Sequence, residues 1–446
     1  MSAPTGTAPA NSSRAAIERP RRLTILALSG AGAVVIAAVI WGRRLAADGV
    51  HIYLSAPPFS GSWAWQWPPG LWWALGLAAV LAVAWPTTAR RLSWWWLLVA
   101  TWATAASWAV TLAGSAGIGA LEAPLTTRYE YLPFARAAGS PRALLQTFVD
   151  RLASAPTHVR GHPPGAVLTF MGLDRLGASD LTVALVVIAV GASAAPAALI
   201  AMDRVAGRPA ARRAAVFVGL APAALWIATS VDALFAGVAA WAIAAGAVAV
   251  TSDDRRLAPL AGATSGVLAG SLLTMTYGAP TLLGPLWALA GWALISRRSI
   301  APLVAGAVGV ALPVVALWTA GFDWPGAFAA THDAYRSGVA SERPGTYFLV
   351  ANVAVFAVAA GPAAVAGATH LRDRRTWLLV GGAIGGALVA DLSGLSKGEV
   401  ERIWLPMVAF SLLATSAIRG IGVRRGWLTA QLGLAIVLQA WLRSPW

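Results

Sequence analysis

The stretch that decides the fold runs from Thr126 to Gly165, opening with TTRYEYLPF (126–134) and closing with HVRGHPPG (158–165). It is the longest polar segment between two hydrophobic blocks, and it holds one carboxylate between two tyrosines and two of the five histidines. Almost everything on either side is apolar. Because charged groups are costly inside a bilayer, this stretch is expected to be a loop outside the membrane that carries the chemistry of the chain.

The composition of the whole chain indicates a polytopic membrane protein. Of its 446 residues, 58% are hydrophobic and only 11% are charged, and the mean hydropathy is +0.67. Such values exclude an ordinary soluble domain. Hydrophobic runs of about 20 residues recur along the chain, each long enough to cross a hydrocarbon core of roughly 30 Å. We therefore predict an all-α fold with roughly thirteen transmembrane helices and a large external loop that carries short helices.

The hydrophobic runs also predict the domain organisation. Residues 1–22, rich in Ser, Ala, Pro and Arg, are expected to be a disordered cytoplasmic tail, and 23–446 a single transmembrane domain with 114–165 as the active-site loop. The expected spans lie at about 23–41, 70–86, 93–113, 181–201, 214–229, 233–250, 257–275, 279–296, 300–319, 346–367, 376–392, 402–418 and 427–442. The apolar piece 166–173 is too short to cross easily and predicts an interfacial or re-entrant helix.

The net charge of +15 fits a membrane protein better than a nucleic-acid partner. In the layout above, the basic excess falls in the loops on the side of the amino terminus, as the positive-inside rule prefers. This predicts a bacterial plasma membrane protein with a cytoplasmic amino terminus and an external active face. The chain has no cysteine, which excludes disulfides and thiolate chemistry.

A second polar cluster is expected on the same outer side as the long loop. Asp232 occupies a tight tip between two spans, and a late loop carries Lys397, Glu399, Glu401 and Arg402. The centres of the spans carry almost no charge, whereas a transporter usually needs polar groups near the midplane of the membrane. The distribution therefore favours an enzyme that works at the outer surface on a lipid-linked substrate.

Three features of the sequence resemble the GT-C class of membrane glycosyltransferases, which contains protein O-mannosyltransferases and lipid A aminoarabinose transferases. They are the acid-and-aromatic cluster at 128–131, the Pro-Pro pair that closes the loop at 162–165, and the late Gly-Glu-x-Glu-Arg segment at 398–402. The resemblance implies transfer of a sugar from a polyprenyl-phosphate donor to a glycan, lipid or protein acceptor. The family usually places an Asp directly after the first span, where this chain has Asp48 in a different setting.

The resemblance and the chemistry of the side chains together suggest roles. Glu130 is the first candidate for the general base that takes a proton from the acceptor hydroxyl, and Asp48 is the alternative. The candidates for binding substrate or phosphate are Arg128, Tyr129, Tyr131, His158, Arg160, His162, Asp232, Lys397, Glu399, Glu401 and Arg402. The competing interpretation is structural: Glu130 paired with Arg128, a loop held together by its own charges, and a salt-bridged span end.

Two other function classes stay open from the sequence. One is a transporter or flippase of lipid-linked sugars, and the other is a non-catalytic membrane protein of envelope assembly. No cofactor is indicated, because a DxD spacing that would support a divalent metal is absent, although a metal site on the outer side stays open. Glycine-rich loops that cradle phosphates are also absent, which argues against direct use of a nucleotide.

Overall fold

The computed structural model describes residues 10–296 and 299–446, and the described chain is almost entirely helical. Its paired strands are β1 (Ser62–Trp63) and β2 (Leu442–Arg443), which are antiparallel. The prediction of an all-α membrane protein is confirmed. Residues 1–9 of the expected tail lie outside the described residues, and the first helix begins at Ala10.

The described residues form twenty-four α-helices. In chain order they are α1 (Ala10–Ala47), α2 (Leu71–Arg91), α3 (Trp94–Ala113), α4 (Tyr131–Ala137), α5 (Pro141–Gln146), α6 (Phe148–Arg151), α7 (Thr157–Arg160), α8 (Gly165–Arg175), α9 (Asp180–Ala192), α10 (Ala194–Ala206), α11 (Arg208–Ala214) and α12 (Val231–Thr251). The second half continues with α13 (Leu257–Leu273), α14 (Ala279–Leu282), α15 (Gly284–Ile295), α16 (Ala301–Thr319), α17 (Trp324–Ser337), α18 (Val339–Glu342), α19 (Gly345–Ala360), α20 (Pro362–His370), α21 (Arg374–Leu392), α22 (Val400–Ile403), α23 (Leu405–Ser411) and α24 (Ile421–Trp441). Single 3₁₀ turns occupy 114–116, 118–121, 123–126, 152–154, 222–226 and 412–417.

Among the described residues, seven helical stretches are long and apolar enough to cross a membrane, or eight if the bent pair α19–α20 counts as one span. They are Arg22–Ala47, Leu71–Arg91, Trp94–Ala116, Asp180–Ala206, Val231–Thr251, Ala301–Thr319 and Arg374–Leu392. The chain is thus a multi-pass membrane protein, but the count of thirteen spans is not confirmed. Several of the other hydrophobic runs form helices that are shorter or interrupted.

The bend between α19 and α20 explains why 346–367 is not one straight span. The two helices meet at 91° at Gly361, whose φ of 80° lies in the left-handed region. Gln431 Nε2 donates to Ala360 O at 3.0 Å, and Gln431 Oε1 accepts from Ala363 N at 3.1 Å. One buried side chain therefore satisfies the backbone groups that the break leaves open, which is what a non-helical backbone inside a membrane requires.

Two other expected spans are broken by residues that the hydropathy pattern does not register. In the run 214–229, helix α11 ends at Ala214, and the chain then continues through turns and the 3₁₀ turn at 222–226. Gly219 has a φ of 91°, and a Cβ there would lie 2.6 Å from the Cβ of Ala105. The run 402–418 is divided among α22, α23 and a 3₁₀ turn. Both runs are mostly buried, and neither forms one continuous helix.

The membrane helices surround α12. In its most apolar window 78% of the residues are buried, whereas the figure is 11% for both α1 and α16. We infer that α12 is the central helix and that α1 and α16 lie at the periphery, facing lipid. Helix α12 begins at Val231, so Asp232 lies in its first turn, and it ends at Thr251, whose hydroxyl accepts from Arg204 at 3.0 Å. At about 1.5 Å per residue these ends are about 30 Å apart.

Helices α13 and α16 approach each other through small residues. A Cβ added to Gly262, Gly266 or Gly270 would lie 2.2, 2.0 or 2.4 Å from a backbone oxygen of α16. The three glycines are four residues apart and therefore share one face of α13. Such close contact between helix backbones is the usual way in which membrane helices associate, because lipid supplies no hydrophobic drive between them.

We expect Gly266→Ala to lower the free energy of unfolding by about 1–3 kcal/mol, because the new methyl group has no room and must push α13 from α16. The matched control is Gly291→Ala in α15, where an added Cβ meets nothing within 4 Å. Denaturant unfolding of the purified chain in detergent measures both. Equal stability of the two variants would contradict the close contact.

Candidate active site

Glu130 lies just before α4 and is 6% exposed. Its Oε1 lies 2.8 Å from His158 Nδ1. The backbone joins the same two segments, because His158 N donates to Tyr129 O at 3.3 Å. Glu130 is thus not paired with Arg128 but lies against α7, at the other end of the same polar loop. The two ends of the loop quoted at the outset form one unit.

His158 connects this unit to the late part of the chain. Its Nε2 lies 3.3 Å from an NH2 of Arg402. A guanidinium has no acceptor atom, so Nε2 must be the acceptor and the ring proton must sit on Nδ1. His158 then donates from Nδ1 to Glu130, which fixes both its tautomer and its orientation.

Arg402 is the centre of the site. It is 7% exposed, and its guanidinium donates to Asp232 Oδ2 and to Glu399 Oε2. Its Cζ lies 4.2 Å from the centre of the Trp446 ring, a cation–π contact. Burial alone would lower the pKa of Arg402, but the carboxylates of Asp232, Glu399 and Glu130 raise it by more. The side chain is therefore a fixed cation that links three parts of the sequence.

Asp232 is placed by the start of α12. Ser230 caps that helix: its Oγ accepts from Asp232 N at 3.1 Å and donates to Asp232 Oδ2 at 2.8 Å. Helix starts carry free N–H groups and favour a nearby carboxylate. Helix α12 thus places the carboxylate of Asp232 against Arg402 at its amino-terminal end.

Glu399 occupies a strained turn. Its φ is 61°, and Gly398 before it has a φ of 94°. A non-glycine residue in the left-handed region costs of order 1–3 kcal/mol and persists where surrounding contacts hold it. Burial raises the pKa of Glu399, but the charge of Arg402 and its hydrogen bond to Glu399 lower it by more, so the net shift is downward. Glu399 is therefore ionised and bound to Arg402 across the start of α22.

An open pocket of about 420 Å³ borders this cluster. Glu399 and Trp446 form the wall nearest Arg402, and the remaining lining is mostly hydroxylic or cationic: Tyr53, Ser55, Ser60, Ser62, Arg443 and Ser444. Two lining atoms, Ser60 Oγ and Trp446 Nε1, are buried without a hydrogen-bond partner. Such atoms cost about 1–3 kcal/mol each when unsatisfied, so the pocket is suited to a polar ligand.

Tyr131 and His162 form the packed floor under His158. The Tyr131 ring is 3% exposed and lies 6.4 Å from that of His158 and 5.9 Å from that of His162, between ring centres. His162 Nδ1 is 2.8 Å from His158 O. Burial lowers the pKa of His162 and raises the pKa of the Tyr131 hydroxyl, so both are neutral at pH 7. Their arrangement holds His158 in place.

The other sequence candidates lie outside the cluster. Arg128 and Tyr129 are exposed and contact each other at 2.6 Å. Arg160 donates to Ala155 O at 3.1 Å. Lys397 Nζ donates to Ala340 O at 2.9 Å and Arg343 O at 3.1 Å, so it stabilises the segment before α19. In the described part of the chain, no hydrogen bond or ion pair joins Asp48, which is exposed after α1, to the cluster.

Glu401 has a different place from Glu399, although the two are separated by one residue. It is fully buried, and its Oε1 accepts from Ser60 N at 3.0 Å. Its Oε2 is buried without a hydrogen-bond partner. Burial raises the pKa of Glu401 to about 7. This carboxyl connects α22 to the loop at Ser60, which forms part of the pocket wall, through a hydrogen bond. It makes no hydrogen bond with Arg402.

Glu401 should give the protein a pH-dependent stability. Because its pKa is raised on folding, the folded state loses stability as the pH rises from the ordinary value of 4.5 to about 7. We expect the wild type to show a falling thermal midpoint over this interval, and Glu401→Gln, which can still accept from Ser60 N, to show a smaller fall. Thermal unfolding in detergent at a series of pH values measures this. Identical pH profiles would contradict the assignment.

Sequence reasoning missed Trp446, Ser60 and Ser230. Trp446 covers the guanidinium of Arg402, with its ring centre 5.4 Å from that of His158, yet it follows a short tail with no motif. The sequence contains one signal for Ser230, because a serine two residues before an acid at the start of a span is a common helix cap. Within the residues that the structure describes, no group of three or more His, Cys, Asp and Glu side chains is arranged to hold a metal ion.

Comparison with known proteins adds one similar structure. No family model matches the chain, and no curated protein matches it. A similar solved structure is ArnT from Cupriavidus metallidurans bound to undecaprenyl phosphate, with 18% identity and a TM-score of 0.42. The match covers 64% of this chain and 59% of the ArnT chain.

Proposed function

We propose that the chain is a membrane glycosyltransferase of the GT-C type, which moves a sugar from a polyprenyl-phosphate donor to a cell-envelope acceptor at the outer face of the membrane. The observation that carries the proposal is the line of contacts from Glu130 through His158 to Arg402, which ends at the wall of the open pocket. Sugar transfer from a phosphate carrier needs a base for the acceptor and a cation for the leaving phosphate. The cluster supplies both.

Glu130 is the proposed general base. Its Oε1 is held by His158, and its Oε2 has no hydrogen-bond partner among the described residues. As the acceptor oxygen bonds to the anomeric carbon of the sugar, its proton passes to Oε2. His158 donates to the other oxygen throughout and is a positioning residue, because it orients the carboxylate without taking the proton.

Arg402 is the proposed cation for the leaving group. The bond between the anomeric carbon and the phosphate oxygen breaks, and its electron pair remains on the phosphate. A guanidinium matches the geometry of phosphate oxygens and stabilises the charge that develops there. Asp232 holds one NH group of Arg402 in place, and Glu399, which accepts from the other, lines the pocket from which we expect the phosphate to enter.

The pocket lining supports a sugar as the ligand. The hydroxyls of Tyr53, Ser55, Ser60, Ser62 and Ser444 are the kind of donors and acceptors that bind sugar hydroxyls.

The proposed placement of the site at the outer face is based on the distribution of arginines. The arginine-rich ends of α10 and α11 lie at the opposite end of α12 from Asp232, and the positive-inside rule assigns such ends to the cytoplasm.

The test is a transfer assay in membranes that contain the chain, using a panel of labelled polyprenyl-phosphate sugars. We expect label from at least one donor to move to a membrane acceptor, and membranes lacking the chain to show no such transfer. A flippase would instead move the intact labelled lipid between leaflets. Translocation of the donor without cleavage of its phosphate–sugar bond would therefore overturn the proposal in favour of transport.

A further inference from the structure

A second pocket, of about 540 Å³, lies at the other end of the helix bundle. Its lining includes Arg213, His370, Arg372, Asp373, Arg419 and Trp427. These residues come from the carboxyl ends of α11 and α20, the starts of α21 and α24, and the link between the 3₁₀ turn and α24. Helix α24 runs from this pocket to β2 beside the first pocket, over 21 residues or about 30 Å. The two pockets are therefore separate.

The charges at this pocket are almost all positive. Arg213 donates from Nε to Ser416 O at 2.7 Å, and Arg424 donates from Nε to Ile418 O at 3.0 Å. Within the described residues neither has a carboxylate partner, and Arg419 has no ion-pair or hydrogen-bond partner. The one acid in the lining, Asp373, is occupied as the cap of α21, with Thr376 N at 2.9 Å.

The arginines also crowd one another. Burial lowers the pKa of the Arg213 guanidinium, and the nearby charge of Arg419 lowers it further. Like charges brought together without an anion between them are unfavourable, and an anion bound among them removes the repulsion. A phosphate group suits such a site, because arginine pairs with its oxygens through parallel hydrogen bonds.

The level of the pocket and its apolar parts indicate the source of the phosphate. His370 Nε2 lies 2.9 Å from the hydroxyl of Thr24, near the start of the first span, and α21 begins its own span at Arg374. The pocket is therefore at the boundary where spans begin. Trp427, Ile418 and Val423 line it beside the arginines, with Val423 54% exposed. A ligand with a charged head and an apolar body fits these surroundings.

We propose that this pocket binds the phosphate of an anionic membrane lipid in the leaflet opposite the proposed transfer site. The head group lies among Arg213, Arg372 and Arg419, and the acyl chains run along the apolar wall. The binding stabilises the junction of α11, α20 and α24 by neutralising its charges.

The test uses the full chain, purified in detergent, with phosphatidylglycerol as the probe and native mass spectrometry to count bound lipid. We expect the wild type to bind phosphatidylglycerol at least about tenfold more tightly than phosphatidylcholine. We expect Arg419→Gln to weaken this binding about tenfold, since one charge-assisted contact is lost, and Arg419→Lys to weaken it less. Arg419 is exposed, so these substitutions do not threaten folding.

The matched control is Arg255→Gln, because Arg255 is an exposed arginine near the same end of the bundle but outside the pocket. It should bind phosphatidylglycerol as the wild type does. Equal weakening in Arg255→Gln and Arg419→Gln would overturn the site in favour of general surface charge. Displacement of the lipid by inorganic phosphate at the same concentration would contradict a lipid ligand and favour a soluble phosphate ligand.

Discussion

Arg402→Gln is expected to lower the rate of sugar transfer by about 10²–10³-fold, the usual loss when one group that stabilises developing charge is removed. The physical reason is that Arg402 is the buried cation of the cluster beside the pocket and the one held by two carboxylates. Without it, the negative charge that grows on the leaving phosphate would meet Asp232 and Glu399 unshielded. The assay is transfer from the labelled polyprenyl-phosphate donor at saturating concentration.

Because Arg402→Gln leaves the buried carboxylate of Asp232 and the half-buried one of Glu399 without a cation, it also threatens folding, at a cost of about 3–5 kcal/mol. Arg402→Lys keeps the charge and should fold, but a single ammonium cannot bridge Asp232, Glu399 and a phosphate together. We expect it to transfer more slowly than the wild type and faster than Arg402→Gln. The control is Arg142→Gln, an exposed arginine of the polar loop that carries Glu130 and His158. Full activity in Arg402→Lys and Arg402→Gln would remove Arg402 from the mechanism.

Glu130→Gln is expected to lower transfer by about 10²–10⁴-fold, the range for loss of a general base. Gln has the same shape and its oxygen can still accept from His158 Nδ1, so the fold and the position of Arg402 should persist. The loss should fall on kcat and leave KM nearly unchanged, because the carboxylate acts on the proton in the transition state. Steady-state kinetics over a range of donor concentrations separates the two constants.

Two controls distinguish Glu130 from other acids of the chain. Glu122→Gln makes the same substitution in the same loop, at a side chain with no hydrogen-bond or ion-pair partner in the described residues. Asp48→Asn tests the alternative base, which lies exposed and apart from the cluster. Both should transfer at nearly the wild-type rate. A large loss of transfer rate in Asp48→Asn, with full activity in Glu130→Gln, would make Asp48 the general base instead of Glu130.

The sequence predicts the class of fold and the two segments of the site, because both depend on local composition. Long apolar runs indicate membrane helices, and polar residues gathered between them indicate where the water-facing chemistry lies. The sequence does not settle the number of spans, because an apolar run such as 214–229 is interrupted by turns that its hydropathy does not reveal. Hydropathy also does not register the left-handed φ of Gly361, which turns one apolar run into two helices at 91°.

The pairing within the site depends on contacts between distant residues. Arg402 binds Asp232 across 170 residues and His158 across 244, and no periodicity in the sequence specifies these partners. Glu399 and Glu401 look equivalent in the sequence, yet the first binds Arg402 and the second binds Ser60 N. The direction of each follows from the turn at Gly398 and Glu399, which only the folded chain reveals.

The central claim is that Glu130 and Arg402 act in one site, and a double-mutant cycle in the transfer assay tests it most directly. The rates of wild type, Glu130→Gln, Arg402→Lys and the double variant are compared under one set of conditions, after each has been shown to fold. We predict that the double variant is little slower than the slower single variant, because residues that act as a unit have effects that do not add. Losses that multiply fully in the double variant would show two independent sites and contradict the account.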